Sequence, residues 1–171
     1  MIVLRWFVAV ALLACPLVSA TPADAPRARA VTAEVNGSLD RMQVSSFRAQ
    51  RPDVAYVSEV RAWRDATGVR KVEATDLDDS GSVVGEYYYG DGELVFAYVA
   101  IKGWRDGREV TRNEQRLYFR DRALVRWLDG MDKVLRAADD PAYADESRLR
   151  VDAARFYRDA ANAAFQKPGD P

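Results

Sequence analysis

The 171-residue chain contains no histidine, and its one cysteine, Cys15, falls within the first twenty residues. The rest of the chain therefore has no disulfide, thiol nucleophile or imidazole base, and no zinc, haem or iron–sulfur site of the usual ligand types. No glycine-rich phosphate loop is present. Ser45, Ser46 and Ser80 have neither a histidine nor a suitably spaced lysine to activate them. These absences leave no catalytic residue, metal ligand or cofactor to nominate. Excess charge of one sign is missing too, with 25 basic against 26 acidic side chains. A nucleic-acid partner, which calls for a distinctly basic surface, is not expected.

Long hydrophobic runs are lacking after the N-terminus. Arg5, the apolar stretch Trp6–Leu17 and the small residues Val18-Ser19-Ala20 have the order of a secretory signal peptide over residues 1–20. Twelve apolar residues are too few to span a bilayer, which takes about 20. The segment Leu12-Leu13-Ala14-Cys15 supports a second reading, a lipobox in which Cys15 is acylated and becomes the N-terminus. The expected location is periplasmic or secreted, with a membrane-anchored lipoprotein as the alternative. No transmembrane segment is expected in the mature chain.

What remains is the size of one domain, and at 49% hydrophobic and 30% charged its composition is that of a globular chain. Residues 21–30 are small, proline-containing and unpatterned, and read as a flexible lead-in. Residues 31–166 read as a single α+β domain and 167–171 as a tail. Val31, Val35, Leu39 and Met42 have helical spacing, which predicts a short helix over 31–43.

From Val54 to Met131 the texture is extended. Runs rich in Val, Tyr, Phe and Trp cover 54–64, 69–77, 82–89, 93–103, 108–119 and 123–128. They are cut by Ala66-Thr67-Gly68, Asp78-Asp79-Ser80-Gly81, Gly90-Asp91-Gly92, Asp106-Gly107 and Arg120-Asp121-Arg122. Breaks this short make hairpins and exclude crossover helices. The prediction is a curved antiparallel meander of about six strands. Asp140 and Pro141 open a helix over 142–166, with Ala142, Leu149, Phe156 and Ala163 on one heptad track and Ala153 and Ala160 beside it. That helix, and the short N-terminal one, are expected to pack on the sheet.

Tyr87–Val95 and Leu117–Val125 repeat one pattern at an offset of thirty: an aromatic strand end, an Asp-centred turn and a Leu-Val start. The segments Glu86–Tyr98 (EYYYGDGELVFAY) and Gln115–Asp129 (QRLYFRDRALVRWLD) carry a resemblance to uncharacterised exported bacterial proteins and lipoproteins with repeated Y-Y-F-x-D-G-x-L hairpins. That group has no assigned activity, so the resemblance implies an architecture and leaves function open. Arg122 stands where the first hairpin has Gly92, which leaves the second turn's type open.

Four constellations bear on function. Asp76-Leu77-Asp78-Asp79-Ser80-Gly81 has the oxygen spacing of a calcium loop, yet its twelfth position is Tyr87. A hairpin turn is the expected reading, and no metal site is assigned. The aromatics Tyr87, Tyr88, Tyr89, Phe96, Tyr98, Trp104, Tyr118, Phe119 and Trp127 supply either core or an apolar, sugar-stacking groove. Arg108, Arg112, Arg116 and Arg120 share one face of an unbroken strand, giving either a solvated face or a stripe for an anionic partner. Among the carboxylates Asp129, Asp132, Asp139 and Asp140, no pair stands out for glycoside cleavage. The leading expectation is a non-catalytic envelope binding module for a protein, glycan or lipid. The alternatives are a carrier of an apolar ligand and a carboxylate-dependent hydrolase.

Overall fold

A computed structural model describes residues 24–78, 81–134 and 140–167. The signal segment with Cys15, Asp79, Ser80 and Asp139, and the tail beyond Lys167 lie outside the described residues. Helix α1 (Asp24–Asn36) is followed by a 3₁₀ turn at Leu39–Arg41. Strands β1 (Gln43–Ala49), β2 (Ser58–Asp65), β3 (Gly68–Asp78), β4 (Gly81–Gly90), β5 (Glu93–Arg105), β6 (Arg108–Arg120) and β7 (Ala123–Asp129) come next, and helix α2 (Pro141–Gln166) closes the chain. Among the described residues the strands form one sheet in sequence order, antiparallel throughout and not closed.

The meander is thus an α+β fold with one strand more than the hairpin texture predicts. The addition is β1, Gln-Val-Ser-Ser-Phe-Arg-Ala, which pairs Val44 with Trp63 and Phe47 with Val60. Only two of its residues are large and apolar, so it borrows its conformation from β2 rather than declaring it by pattern. Helix α1 also departs from expectation. It begins at Asp24, inside the segment read as an unpatterned lead-in, and ends at Asn36 instead of residue 43. Ala25 and Ala28 are its buried contacts on Tyr118 and Leu128. An alanine face is too shallow to show as periodicity but permits close approach to a sheet. Val31, Val35, Leu39 and Met42 do converge on one cluster with Tyr88 and Val95, the last two from the 3₁₀ turn and its flank.

The two helices lie on opposite faces. Beneath α2 are Val60, Ala62, Val72, Tyr87, Tyr89, Leu117, Phe119 and Trp127. The buried stripe of α2 is Tyr143, Ala153, Ala154, Tyr157 and Ala161, turned from the heptad track read in the sequence. Leu149 is 39% exposed and Ala163 is exposed as well. Tyrosine carries a polar tip, so periodicity counts it as neutral although its ring supplies the bulk here. Asp140 caps the helix as expected, accepting from the Ala142 amide at 2.8 Å.

Four β-bulges interrupt the ladder among the described residues. The extra residues are Arg70 opposite the Trp63/Arg64 step, Val95 opposite Tyr88/Tyr89, Arg112 opposite Ile101/Lys102, and Val125 opposite Tyr118/Phe119. Val95 and Val125 stand thirty residues apart, so the sequence repeat is a repeated bulged hairpin. The turns match too: Asp91 and Gly92 have φ of 54° and 76°, and Asp121 and Arg122 have 51° and 61°. Two left-handed residues make the tight turn favoured between twisted strands. Arg122 therefore holds a conformation that suits glycine, at a cost of about 1 kcal/mol.

Two outcomes follow for stability. Tyr157→Ala is expected to cost about 3–5 kcal/mol, as for other buried aromatics, whereas Leu149→Ala costs under about 1 kcal/mol. Urea unfolding of both variants checks this, and equal costs would mean that the helix face is assigned wrongly. Arg122→Gly is expected to stabilise by about 1 kcal/mol, because the exposed Arg122–Glu93 contact it removes is worth little. A variant less stable than the parent would refute the turn assignment.

Candidate functional site

Both helices sit over the same end of the sheet. Arg27 of α1 reaches Asp91 in the β4–β5 turn at 3.3 Å, and Glu34 reaches Arg70 at 2.8 Å. On the other face Ser147 of α2 accepts from the Leu124 amide at 2.9 Å. Arg158 donates to the Gly92 carbonyl, and Phe165 stacks on Arg64 at 4.6 Å. These contacts hold the turns β2–β3, β4–β5 and β6–β7.

A buried polar node closes the covered region. Ser58 has no exposed surface; its hydroxyl lies 2.5 Å from an Asp76 oxygen and 2.7 Å from the Tyr157 hydroxyl. A carboxylate only accepts, so Ser58 donates to Asp76 and Tyr157 donates to Ser58. Burial, and then the Asp76 charge, raises the Tyr56 phenol. Beside them Arg150 pairs with Glu146 at 2.6 Å, while buried Arg51 pairs with Asp53. Burial pushes the Tyr157 phenol up to about 12. The Ser58 hydroxyl is engaged on both sides and shielded from solvent, so the node serves the fold rather than nucleophilic chemistry. Asp76, first residue of the calcium-like spacing, is committed to this node. Asp78 stands opposite Gly81 in the ladder, the geometry of a hairpin.

The aromatic concentration is core. Tyr87, Tyr89, Phe119 and Trp127 pack under α2, and Tyr88, Phe96 and Tyr118 under α1. Tyr98 is half-buried, its phenol raised to about 12 by burial and by the Glu114 carboxylate. Trp104 alone of the group is exposed, at 56%. The named carboxylates are spent locally. Asp129 accepts from the Met131 and Lys133 amides, Asp132 pairs with Arg116, and Asp140 caps α2.

The arginine stripe does not form. The bulge at Arg112 breaks the alternation of β6, so Arg116 and Arg120 fall on the α1 face and Arg108 and Arg112 on the other. Arg116 is bound to Asp132 at 2.8 Å and to the Gly130 carbonyl at 3.1 Å. What gathers instead is a group at the uncovered end: Arg105 directly opposite Arg108, with Arg112 on the same face. The Arg112 guanidinium lies over Gly103, where an added Cβ would come within 2.1 Å of its Nε. Arg105 escaped the even-numbered pattern because it lies on β5, and its partner appears only once the hairpin register is known.

Beyond the node neither helix covers the sheet on either side among the described residues. Leu77 is 57% exposed on the Trp104 face, and Ile101 is 37% exposed on the arginine face. A separate cleft of about 280 Å³ lies beside α2, floored by Tyr89, Leu94 and Ala154 and rimmed by Arg122, Arg155 and Arg158. Each of those arginines is paired, with Glu93, Asp152 and Asp159 respectively. No helix among the described residues is long and apolar enough to cross a membrane. No family model, curated protein or solved structure matches this chain.

The raised phenols give a pH signature. A tyrosine whose folded pKa stands near 12, above its ordinary 10, favours folding in its neutral form. That stabilisation is complete below pH 10 and is lost as pH rises toward 12. The melting temperature is expected to fall across this window, and less steeply in Tyr157→Phe, which keeps the contributions of Tyr98 and Tyr143. Parallel slopes for the two proteins would exclude Tyr157 as a source.

Proposed function

We propose that the protein is an exported, non-catalytic binding module of the cell envelope that engages its partner with the uncovered end of its sheet. One observation carries this reading: both helices clamp one end, and the other end extends past the polar node with exposed Leu77, Ile101 and Trp104 and with Arg105, Arg108 and Arg112, which meet no carboxylate among the described residues. Leu77, Ile101 and Trp104 are large apolar side chains exposed at an end that neither helix covers, and such exposure supports a partner surface there. The signal-like residues 1–20 support export, with processing after Ala20 as the main route and acylation of Cys15 as the alternative.

The other two functions have less support. A carrier needs room between sheet and helix, and that space is filled by Tyr87, Tyr89, Trp127, Tyr143 and Tyr157. A hydrolase needs two carboxylates converging in a cleft, whereas Asp76, Asp129, Asp132 and Asp140 each hold up local structure.

Site-specific photocrosslinking in producing cells tests the proposal. A photoreactive residue at Leu77 or Ile101 is expected to give mass-resolved adducts with envelope material, and one at Leu149, exposed on α2, to give none. Equal labelling from all three positions, or labelling from Leu149 alone, would sink it. Intact mass of the product reads the export half: a chain starting at Thr21 is expected, and one retaining Met1 overturns export.

A further inference from the structure

The β5–β6 tip combines features that a solvated hairpin does not need. Arg105 and Arg108 face each other directly at the base of the turn, and like charges so placed destabilise a strand pair. Arg112 joins them on the same face, donating to the Trp104 carbonyl at 3.4 Å. None of the three meets a carboxylate among the described residues. Glu109, the nearest acid in β6, is taken by Lys102 at 3.1 Å and Ser82 at 2.8 Å, which hold its carboxyl below its ordinary range. Asp106 sits in the turn itself, left-handed at φ 51° beside Gly107. On the opposite face Trp104, across from Glu109, stands in solvent, and Leu77 of β3 is exposed on that same face.

Building on the binding-module reading above, we propose that this tip docks on an anionic lipid surface, with Trp104 seated in the headgroup layer and Arg105, Arg108 and Arg112 binding lipid phosphates. Guanidinium groups take phosphate oxygens by forked, charge-assisted hydrogen bonds. Tryptophan prefers the boundary between headgroups and acyl chains, where its ring is half wet. The distribution of side chains selects a lipid surface over other anions. A protein or a polymer strand covers one face of a hairpin, whereas exposed apolar side chains flank this one on both: Trp104, with Leu77 of β3, on one face, and Ile101, opposite Asn113, on the other. A protruding tip wets both faces at once only in a layer that surrounds it.

Vesicle partition of the processed protein tests this. Of the tryptophans after the signal segment, Trp63 and Trp127 are buried and Trp104 is exposed, so Trp104 dominates any change in emission. With vesicles of phosphatidylglycerol and phosphatidylethanolamine, a blue shift and co-sedimentation are expected, fading as salt rises, with neither on pure phosphatidylcholine. Arg105→Glu with Arg108→Glu is expected to weaken partition roughly tenfold or more, because each reversal turns attraction to the surface into repulsion. Trp104→Phe should abolish the blue shift while leaving salt-sensitive binding several-fold weaker. Arg112→Gln gives a milder loss should the double reversal disturb folding, which melting curves will show.

Equal partition onto both vesicle types, or partition untouched by charge reversal, overturns the proposal. So does failure to bind anionic vesicles alongside binding of soluble polyglutamate, which assigns the tip to an acidic polymer. If vesicles are ignored while crosslinks from Leu77 or Ile101 persist, the lipid identity falls and the binding module stands. If both fail, both readings fall.

Discussion

The architecture depends on three bulges that give the α1 face more side chains than a regular ladder can supply. In an unbroken strand, half the residues point to each side. Helix α1 offers mostly alanine and valine, so it needs a dense bed. The extra residues Val95 and Val125 provide it beside Phe96 and around Tyr118, and the extra Arg70 reaches across to Glu34 while holding Asp65 at 2.6 Å. All three bulges lie in the half of the sheet that carries the β2–β3, β4–β5 and β6–β7 turns. That placement fixes α1 there, and with α2 on the other face of the same end, the remaining length of β3 to β6 is left without a helix over it among the described residues.

The polar node belongs to this division. Apolar burial runs from the turns as far as Val60, Ala74 and Val99, and Ser58 and Asp76 then stand side by side at its margin. Leaving any member unbonded in that position would cost about 1–3 kcal/mol. The chain Tyr157 to Ser58 to Asp76 satisfies them in series and ties the middle of α2 to β2 and β3. A satisfied network of this kind gives the helix one position on the sheet where a purely apolar contact would tolerate sliding.

Much of the fold was legible because its signals are local. Asp-Gly turns, short breaks and aromatic strand ends announce the hairpins, and Asp140-Pro141 announces α2. The parts that were not legible share one cause: they depend on registry between segments. β1 has little pattern of its own and becomes a strand by pairing with β2. The shallow Ala25–Ala28 face is helical because a bulged sheet lies beneath it. The arginine stripe failed for the same reason, since a bulge is invisible in a single strand yet reverses every side chain beyond it. The candidate site was half visible, as Trp104, Arg108 and Arg112 were in view while Arg105 and the bare state of the tip were not. The offset-thirty repeat was the one clue to bulge position in the sequence, and it recorded Val95 and Val125 together.

The fourth bulge, at Arg112, serves a different end. Strand β7 pairs with β6 only from Gln115 to Arg120, so residues 108–114 form a sheet edge with no strand beside them among the described residues. A long, flat edge of that kind invites addition of another chain. Here it is interrupted by a bulge and studded with Arg108, Glu109, Arg112 and Glu114, which twist and charge it. Edge protection alone, however, would be met by mixed or paired charges. It does not account for Arg105 facing Arg108, nor for Trp104 standing bare beside them. The edge is guarded against strands while the tip keeps an exposed indole and a cationic cluster that meets no carboxylate among the described residues, and those two residual features are the ones on which the proposed lipid docking rests.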